Sequence, residues 1–258
     1  MVRSQNKWEL DVQGYLNTCA ITAALPRQQI RDFAQGINQL GLWNSMVCWP
    51  LRSSQNAGSG TTAYSLGGLG TFNGTLVGGS LPTWGANGVE NTSANSINFN
   101  NPLTSARMFI QVFAKTETGD TNGASLASYL GSPERGYEIL FNATNFPEIR
   151  FYAGDFQNNA RIPSINCNDG NQHFVSGITD GSSAQWFVDG SAGSFTALTH
   201  TPLQAASTGS LIVGGRSNGS VSVACRSAFV CVFNAYSAQM PQVYNLYKST
   251  LGSGLALP

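Results

Sequence analysis

Charged residues are scarce in this sequence. Lys, Arg, Asp and Glu together make up 10% of its 258 residues, against about 25% in an average soluble domain. The 13 basic residues balance the 13 acidic residues and form no run. Nucleic-acid binding is therefore not expected, since it needs a clustered positive surface. The surface must be covered largely by Ser, Thr, Asn, Gln and Gly, a composition common in extracellular and virion β-proteins.

Cysteine and histidine are also few. The five cysteines are an odd number and no two are spaced as C-x-x-C, so neither a fully paired disulfide framework nor a structural zinc site is expected. We expect the cysteines to be small buried residues of a reduced protein. Cys225 and Cys231 could face each other only if they lay on adjacent strands. The two histidines, His173 and His200, lie far apart and near no nucleophile motif.

Long hydrophobic runs are absent. No apolar segment approaches the length needed to cross a bilayer, and residues 1–8 lack the apolar stretch of a signal peptide. We therefore expect no membrane partner, and a chain that is made in the cytoplasm of a cell without export by a cleaved signal.

The N-terminal quarter divides into two predicted pieces. Residues 1–25 are predicted to form a polar arm without clear periodicity, and residues 26–41 an amphipathic helix that begins at Pro26 and ends before Gly41. The arm either packs on its own domain or lies on a neighbouring subunit, and the helix either covers an edge of the main domain or binds a partner helix. Candidate assembly residues in the two pieces are Trp8, Leu10, Tyr15, Ile30, Phe33 and Ile37.

Residues 42–258 read as a single β domain. Short apolar runs alternate with clusters of Gly, Asn, Ser and Thr, and Asp180-Gly181 and Asp189-Gly190 mark tight turns of a hairpin. This pattern predicts an all-β, antiparallel, two-sheet jelly-roll sandwich with an N-terminal arm and one short helix, followed by a closing helix near Ser237. The predicted strands cover 45–49, 74–77, 96–99, 107–113, 137–141, 148–152, 210–215 and 228–234, with two further short strands within 172–190.

The order of these segments resembles the concanavalin A-like jelly roll in its laminin G-like form. The matching segments run from 41–51 and 64–76, through the turn segments 179–181 and 187–190, to 211–215, 229–233 and 237–247. Together with the arm and helix, they are similar to structural proteins of tailed bacteriophages. The resemblance implies a capsid-decoration, fibre or tail-associated role, with sugar or calcium binding as properties of some relatives.

Paired carboxylates for glycoside hydrolysis are missing. The β-glucanase branch of the resembled fold carries carboxylates at alternate positions of one strand, and such enzymes need two of them about 5–10 Å apart. No segment here reads Glu-x-Asp-x-Glu. Glu134, Glu138 and Glu148 form the nearest cluster, and we expect Glu138 and Glu148 to face solvent or to pair with Arg135 and Arg150. The sequence therefore favours a protein that is not an enzyme.

Two kinds of binding site have candidate residues. Asp120 and Asn122, with Asp155, provide oxygen ligands that a calcium loop could use, although Asx-Gly turns give the same composition for backbone reasons alone. No other cofactor is expected. Trp84, in a segment rich in Gly and Pro, and Tyr129 are the candidate aromatic residues for a glycan site, or else simply cover the domain.

We therefore predict a non-enzymatic virion structural protein of a tailed phage that displays a lectin-like jelly roll, as capsid decoration (cement) or as part of a fibre. It would be a homo-oligomer located in the virion, attached to other virion proteins and sister subunits through the arm and helix. The alternative is a glycan-binding host-attachment adhesin, whose partners are surface glycans. A glycoside hydrolase is the third reading. Capsid or tail location and the number of subunits stay open.

Overall fold

Alternating apolar residues and Gly-rich turns fold most of this chain into short antiparallel strands. The computed structural model describes residues 6–99, 106–116, 122–131, 134–142, 146–153, 164–198, 210–216 and 223–258. Its helices are α1 (Lys7–Thr18), α2 (Ala24–Gln39) and α3 (Met240–Ser249). Its strands are β1 (Met46–Pro50), β2 (Thr62–Ala63), β3 (Gly74–Gly78), β4 (Thr83–Gly85), β5 (Gly88–Asn91), β6 (Asn95–Phe99), β7 (Met108–Lys115), β8 (Asn122–Gly131), β9 (Glu134–Asn142), β10 (Pro147–Ala153), β11 (His173–Thr179), β12 (Ser183–Val188), β13 (Ser191–Ala192), β14 (Thr196–Ala197), β15 (Leu211–Val213) and β16 (Cys225–Phe233).

The strands form two antiparallel sheets. Sheet A has the order β13-β12-β11-β7-β16-β5-β4, with β1 also paired to β16 and β14 to β12. Sheet B has the order β10-β9-β8-β15-β6-β3-β2. Strands that are distant in sequence are neighbours in both sheets, as in a jelly roll. The predicted two-sheet antiparallel sandwich is confirmed.

The space between the two sheets holds an apolar core of stacked aromatic rings. Trp49 of sheet A stacks on Phe99 of sheet B with ring centroids 4.2 Å apart, and Phe109 stacks on Tyr137 at 4.6 Å. Each pair joins one sheet to the other. These rings are almost fully buried, so they contribute both area removal from water and favourable ring geometry.

Strands β1, β7, β11 and β16 of sheet A are buried on both faces. In β16, Phe229, Cys231 and Phe233 belong to the cluster under the helices, whereas Val230 and Val232 belong to the cluster between the sheets. Because successive side chains of a strand point to opposite faces, residues 228–233 of this strand form an unbroken apolar run. A third layer, made of α1, α2 and α3, covers the outer face of sheet A.

The helical layer changes the predicted role of the N-terminal segment. Residues 7–18 form a helix, where the sequence analysis expects an arm without periodicity; the Asn6 backbone N–H donates to the Glu9 carboxylate at 2.9 Å and helps to start it. The assembly role predicted for four residues is corrected, because each is at most 5% exposed within the core of this chain: Tyr15, Ile30, Phe33 and Ile37. The assembly role of Trp8 and Leu10 and the domain boundaries 1–25, 26–41 and 42–258 stay predictions.

The predicted amphipathic helix is present as α2, with Ile30, Phe33 and Ile37 on its buried face. Gly41 follows it with a φ of +73°, as expected of a residue that ends a helix in the left-handed region. Within the described residues, no helix is both long and apolar enough to span a membrane.

Candidate functional site

A cleft lies between α1 and the Gly-rich segment 64–73, with a volume of about 300 Å³. The wall formed by α1 presents Lys7, Asp11, Gly14 and Thr18. These positions are three or four residues apart, so they share one side of the helix. We call this space the α1 cleft.

Glycines let segment 64–73 lie close against β1 and the residues before it. A Cβ at Gly67, whose φ is +143°, would lie 2.2 Å from the Met46 carbonyl oxygen, and a Cβ at Gly68 would lie 2.6 Å from the Trp43 ring. Backbone bonds fix the segment further: the Leu66 N–H donates to the Cys48 carbonyl at 2.8 Å, and the Cys48 N–H donates to the Leu66 carbonyl at 2.7 Å. The second wall of the α1 cleft is therefore a rigid backbone surface.

An ordered charge pair lines the cleft. The Lys7 ammonium donates to Asp11 Oδ2 and to the Gly68 carbonyl, both at 3.0 Å, and Trp43 Nε1 donates to the same Asp11 oxygen at 3.1 Å. Oδ1 of Asp11 accepts no hydrogen bond from a described residue. The Asp11 side chain is 30% exposed. Asp11 therefore offers a positioned acceptor to a ligand.

Other polar groups of the cleft complement this acceptor. Asn73 Oδ1 accepts bonds from the Ser65 backbone N–H at 3.1 Å and from the Ser65 hydroxyl at 3.3 Å. This orients the Asn73 side chain and leaves its Nδ2 without a partner among the described residues. Tyr64 packs partly against the core under the helices and is half-buried at the same cleft. The α1 cleft thus combines an aromatic ring, a carboxylate, an ammonium and an amide.

A second polar cluster lies on the outer face of sheet B, away from the inter-sheet core. Arg216 donates to both oxygens of Glu138 at 2.8 and 2.7 Å, and Arg150 Nη1 lies 3.4 Å from the same carboxylate. Arg150 Nε also donates to Glu148 at 2.8 Å, and the Tyr152 hydroxyl donates to Glu138. Burial raises the pKa of the Tyr152 hydroxyl far above its usual value, and the Glu138 charge raises it further.

This cluster corrects one alternative of the sequence analysis. Glu138 and Glu148 do not face solvent: they are 0% and 7% exposed, and both pair with Arg150, as the other alternative expects. The side chains of Glu134 and Arg135 lie outside the described part of the structure. The cluster joins β9, β10 and the residue Arg216 that follows β15.

A buried histidine joins two turns at one end of sheet A. His173 Nδ1 lies 2.6 Å from Asp189 Oδ2, and Nε2 lies 2.9 Å from Asp169 Oδ1. Burial alone would lower the pKa of His173, but hydrogen bonds with Asp189 and Cys167 raise it to about 11. Partial burial works against ionisation of Asp169, yet hydrogen bonds from Asn171 and His173 lower its pKa to about 2. His173 is therefore a fixed cation and not a general base.

The His173 cluster predicts a specific dependence of stability on pH. A histidine whose pKa is 6.5 when unfolded and about 11 when folded stabilises the folded state fully below pH 6.5, and this contribution falls as the pH rises toward 11. The loss of stability caused by His173→Gln should therefore be largest near pH 5–6, and the difference in melting temperature from the wild type should narrow toward pH 10. Thermal unfolding across this range measures this difference. His200→Gln is the control. A difference in melting temperature between His173→Gln and the wild type that does not change with pH would refute the charged state of His173.

Of the residues that the sequence analysis assigns to glycan or calcium sites, the structure describes the side chain of Trp84 alone. Trp84 lies on β4, an end strand of sheet A, where its ring packs on the inter-sheet core and its Nε1 donates to the Gly60 carbonyl at 3.0 Å. Tyr129 and Asn122 lie on β8, and their side chains are outside the described residues, as are Asp120 and Asp155. Among the residues described, no group of three or more His, Cys, Asp or Glu could hold a metal ion.

The sequence alone does not predict the α1 cleft. Its signal in the sequence is the row of small and polar residues Lys7, Asp11, Gly14 and Thr18, which becomes visible only once residues 7–18 are recognised as a helix. The Gly-rich segment was identified as part of the fold, but nothing in the sequence places it opposite α1.

No family model and no curated protein matches this chain. Several solved structures are similar to this chain. The receptor binding domain of a botulinum neurotoxin mosaic serotype C/D superposes with a TM-score of 0.58 at 12% identity, over 79% of this chain and 51% of that one. The serotype D ligand binding domain in complex with N-acetylneuraminic acid gives 0.57 at 10% identity, over 80% and 52%. The shared fold is a two-sheet antiparallel jelly-roll sandwich.

The binding domain of Paraclostridial Mosquitocidal Protein 1 is also similar, with a TM-score of 0.51 at 11% identity over 69% of this chain and 47% of that chain. This chain spans about half the length of the three binding domains. At these identities the likeness shows the fold alone.

Proposed function

We propose that this chain is a non-catalytic, glycan-binding jelly-roll domain, and that the α1 cleft binds a terminal sugar of a surface glycan. The observation that carries the proposal is the unoccupied acceptor of Asp11, fixed by Lys7 and Trp43 at the edge of a 300 Å³ cleft. Sugar hydroxyls act both as donors and as acceptors, so a carboxylate, an ammonium and an amide in one small cleft suit them. The Tyr64 ring supplies an apolar surface for the sugar face.

The similar binding domains add support from a different direction. One of them, from botulinum neurotoxin serotype D, is in complex with N-acetylneuraminic acid. A jelly roll therefore occurs in a sugar-binding protein of comparable architecture, although that domain is about twice as long. The non-catalytic part of the proposal is supported by Glu138 and Glu148, two carboxylates on the adjacent strands β9 and β10 that both bond to arginines.

We further propose that this domain is displayed on a particle such as a tailed-phage virion. The low content of charged residues favours it. The predicted anchor changes, because α1 and α2 pack on sheet A and expose only part of their surface to partners. Leu10 and Leu25, at 53% and 69% exposure, are the apolar side chains that these helices offer to other virion proteins or sister subunits.

A glycan array with matched variants tests the binding site. Gly14 lines the cleft from the middle of α1, and a Cβ there meets nothing within 4 Å. Gly14→Trp should fill the cleft and lower binding at least about tenfold, whereas Gly14→Ala should bind like the wild type, because Ala adds one methyl group and suits a helix better than Gly.

The three proteins should have the same circular dichroism spectrum and similar melting temperatures, which shows that the tryptophan blocks a site and does not unfold the chain. A wild-type chain that binds no glycan on the array would refute the proposed function. Equal binding by wild type and Gly14→Trp would refute the α1 cleft as the site.

A further inference from the structure

Two of the five cysteines face each other across a pair of strands. β1 pairs antiparallel with β16, and the register places Cys48 directly opposite Cys231. Both side chains belong to the apolar cluster between sheet A and the helices, so they point to the same face of the sheet. Cys225, which the sequence suggests as a possible partner of Cys231, lies on the same strand and cannot face it.

The backbone hydrogen bonds show what kind of pair this is. Positions three residues away on either side, Leu51 with Ala228 and Ser45 with Asn234, are joined by bonds between β1 and β16. Bonded and non-bonded pairs alternate along an antiparallel ladder, so Cys48 and Cys231 form a non-hydrogen-bonded pair. Accordingly, the N–H and C=O of Cys48 point away from β16 and bond to Leu66.

Non-hydrogen-bonded pairs are the closer of the two kinds, with a Cα–Cα distance of about 4.5 Å. This lies within the range of about 4.4–6.8 Å that a disulfide bridges without backbone movement. We propose that Cys48 and Cys231 are a disulfide-forming pair, which joins β1 to β16 when the chain folds in the presence of a small-molecule disulfide.

The reaction is an ordinary two-step exchange. The thiolate of one cysteine attacks the small disulfide RSSR, forms a mixed disulfide and expels one thiolate RS⁻; the thiolate of the second cysteine then attacks the mixed disulfide and expels the second RS⁻. Overall, two protein thiols and RSSR give one protein disulfide and two RSH. The protein loses two electrons and two protons, and RSSR gains them.

The folded, reduced chain should react slowly. Both cysteines are fully buried, and burial, followed by the neighbouring Cys48 thiol, raises the pKa of Cys231 well above its usual value. Since the thiolate is the reacting species, exchange requires an open or partly folded chain. Whether the Cys48–Cys231 disulfide is present therefore depends on the redox conditions under which the chain folds.

The test refolds the full chain from denaturant with and without a mixture of reduced and oxidised glutathione. Thiols are then counted under denaturing conditions, and tryptic peptides are mapped by mass spectrometry without reduction. We expect three free thiols of five after oxidative refolding, and a linked peptide pair of residues 32–52 and 227–248, which contain Cys48 and Cys231. Cys225 lies in a separate peptide, 217–226, so the two cysteines of β16 are distinguished.

Variants and melting temperatures complete the test. Cys48→Ser and Cys231→Ser should each keep four free thiols of four, whereas Cys225→Ser, the control on the same strand, should keep the disulfide and two free thiols. Because the bond closes a loop of roughly 180 residues, the oxidised wild type should melt on the order of 10 °C above the reduced one. Five free thiols after oxidative refolding, a different linked pair, or an oxidised protein that melts no higher would overturn the proposal. The peptide map of the wild type shows which two cysteines are linked even if a variant fails to fold.

Discussion

Replacing Phe33 by Ala should lower the free energy of unfolding by about 3–5 kcal/mol, which corresponds to roughly 10 °C in melting temperature. Phe33 is fully buried where α2 meets sheet A and α3, with its ring 5.6 Å from that of Phe229 and 6.5 Å from that of Tyr247. Removal of the ring leaves a cavity that three rigid elements cannot close. Thermal and denaturant unfolding of the full chain measure the change.

Leu25→Ala is the matched control for Phe33→Ala. Leu25 lies on the same helix and is also apolar, but it is 69% exposed, so its truncation should change stability by no more than about 0.5 kcal/mol. If α2 were a detachable anchor, as the sequence analysis allows, Phe33→Ala would leave the unfolding of the jelly roll almost unchanged. That outcome would contradict the helical layer as part of the domain core.

Glu138→Gln should lower the free energy of unfolding by about 3–5 kcal/mol, because it removes the buried charge that balances Arg150 and the partly buried Arg216. Arg216 donates two bonds to the Glu138 carboxylate, and Arg150 lies 3.4 Å from it. Glutamine has nearly the same shape but offers one acceptor oxygen and no charge, so Arg216 and Arg150 each lose their ion pair with residue 138. Denaturant unfolding of the variant measures this cost, which should persist at high salt because the site is buried.

Glu90→Gln on β5 controls for the substitution itself, since Glu90 is exposed and its neutralisation should cost no more than about 0.5 kcal/mol. A Glu138→Gln protein as stable as the Glu90→Gln protein would show that the outer-face cluster contributes little, and that Glu138 is free to serve another purpose.

The parts of the fold that the sequence predicts are those with strong local patterns. The hairpin of β11 and β12 is marked by Asp180-Gly181, and α2 by its spaced apolar residues. β8 is missed because Gly, Ala and Ser dominate its first half and lack the bulk that marks a strand. α1 is missed although Val12, Tyr15 and Leu16 have helical spacing, because polar residues surround them.

The candidate site is harder to predict than the fold, for a physical reason. Asp11 and Gly68 meet through Lys7, and Glu138 meets Arg216, across about 60 to 80 residues of sequence. Such pairs depend on how the helical layer and the strand order bring distant segments together, and no local pattern encodes this. Trp84 shows the converse: an aromatic residue in a Gly- and Pro-rich segment suggests a ligand site, yet its ring packs on the core and its indole N–H bonds to Gly60.

The most direct test of glycan binding at the α1 cleft is amide-resonance mapping of the full chain titrated with the glycan that binds best on the array. We predict shifts concentrated at Lys7, Asp11 and Gly14 of α1 and at segment 66–73, with the same glycan leaving the Gly14→Trp spectrum unchanged. Shifts concentrated instead around Trp84 or around Arg216 on the outer face of sheet B would contradict the account.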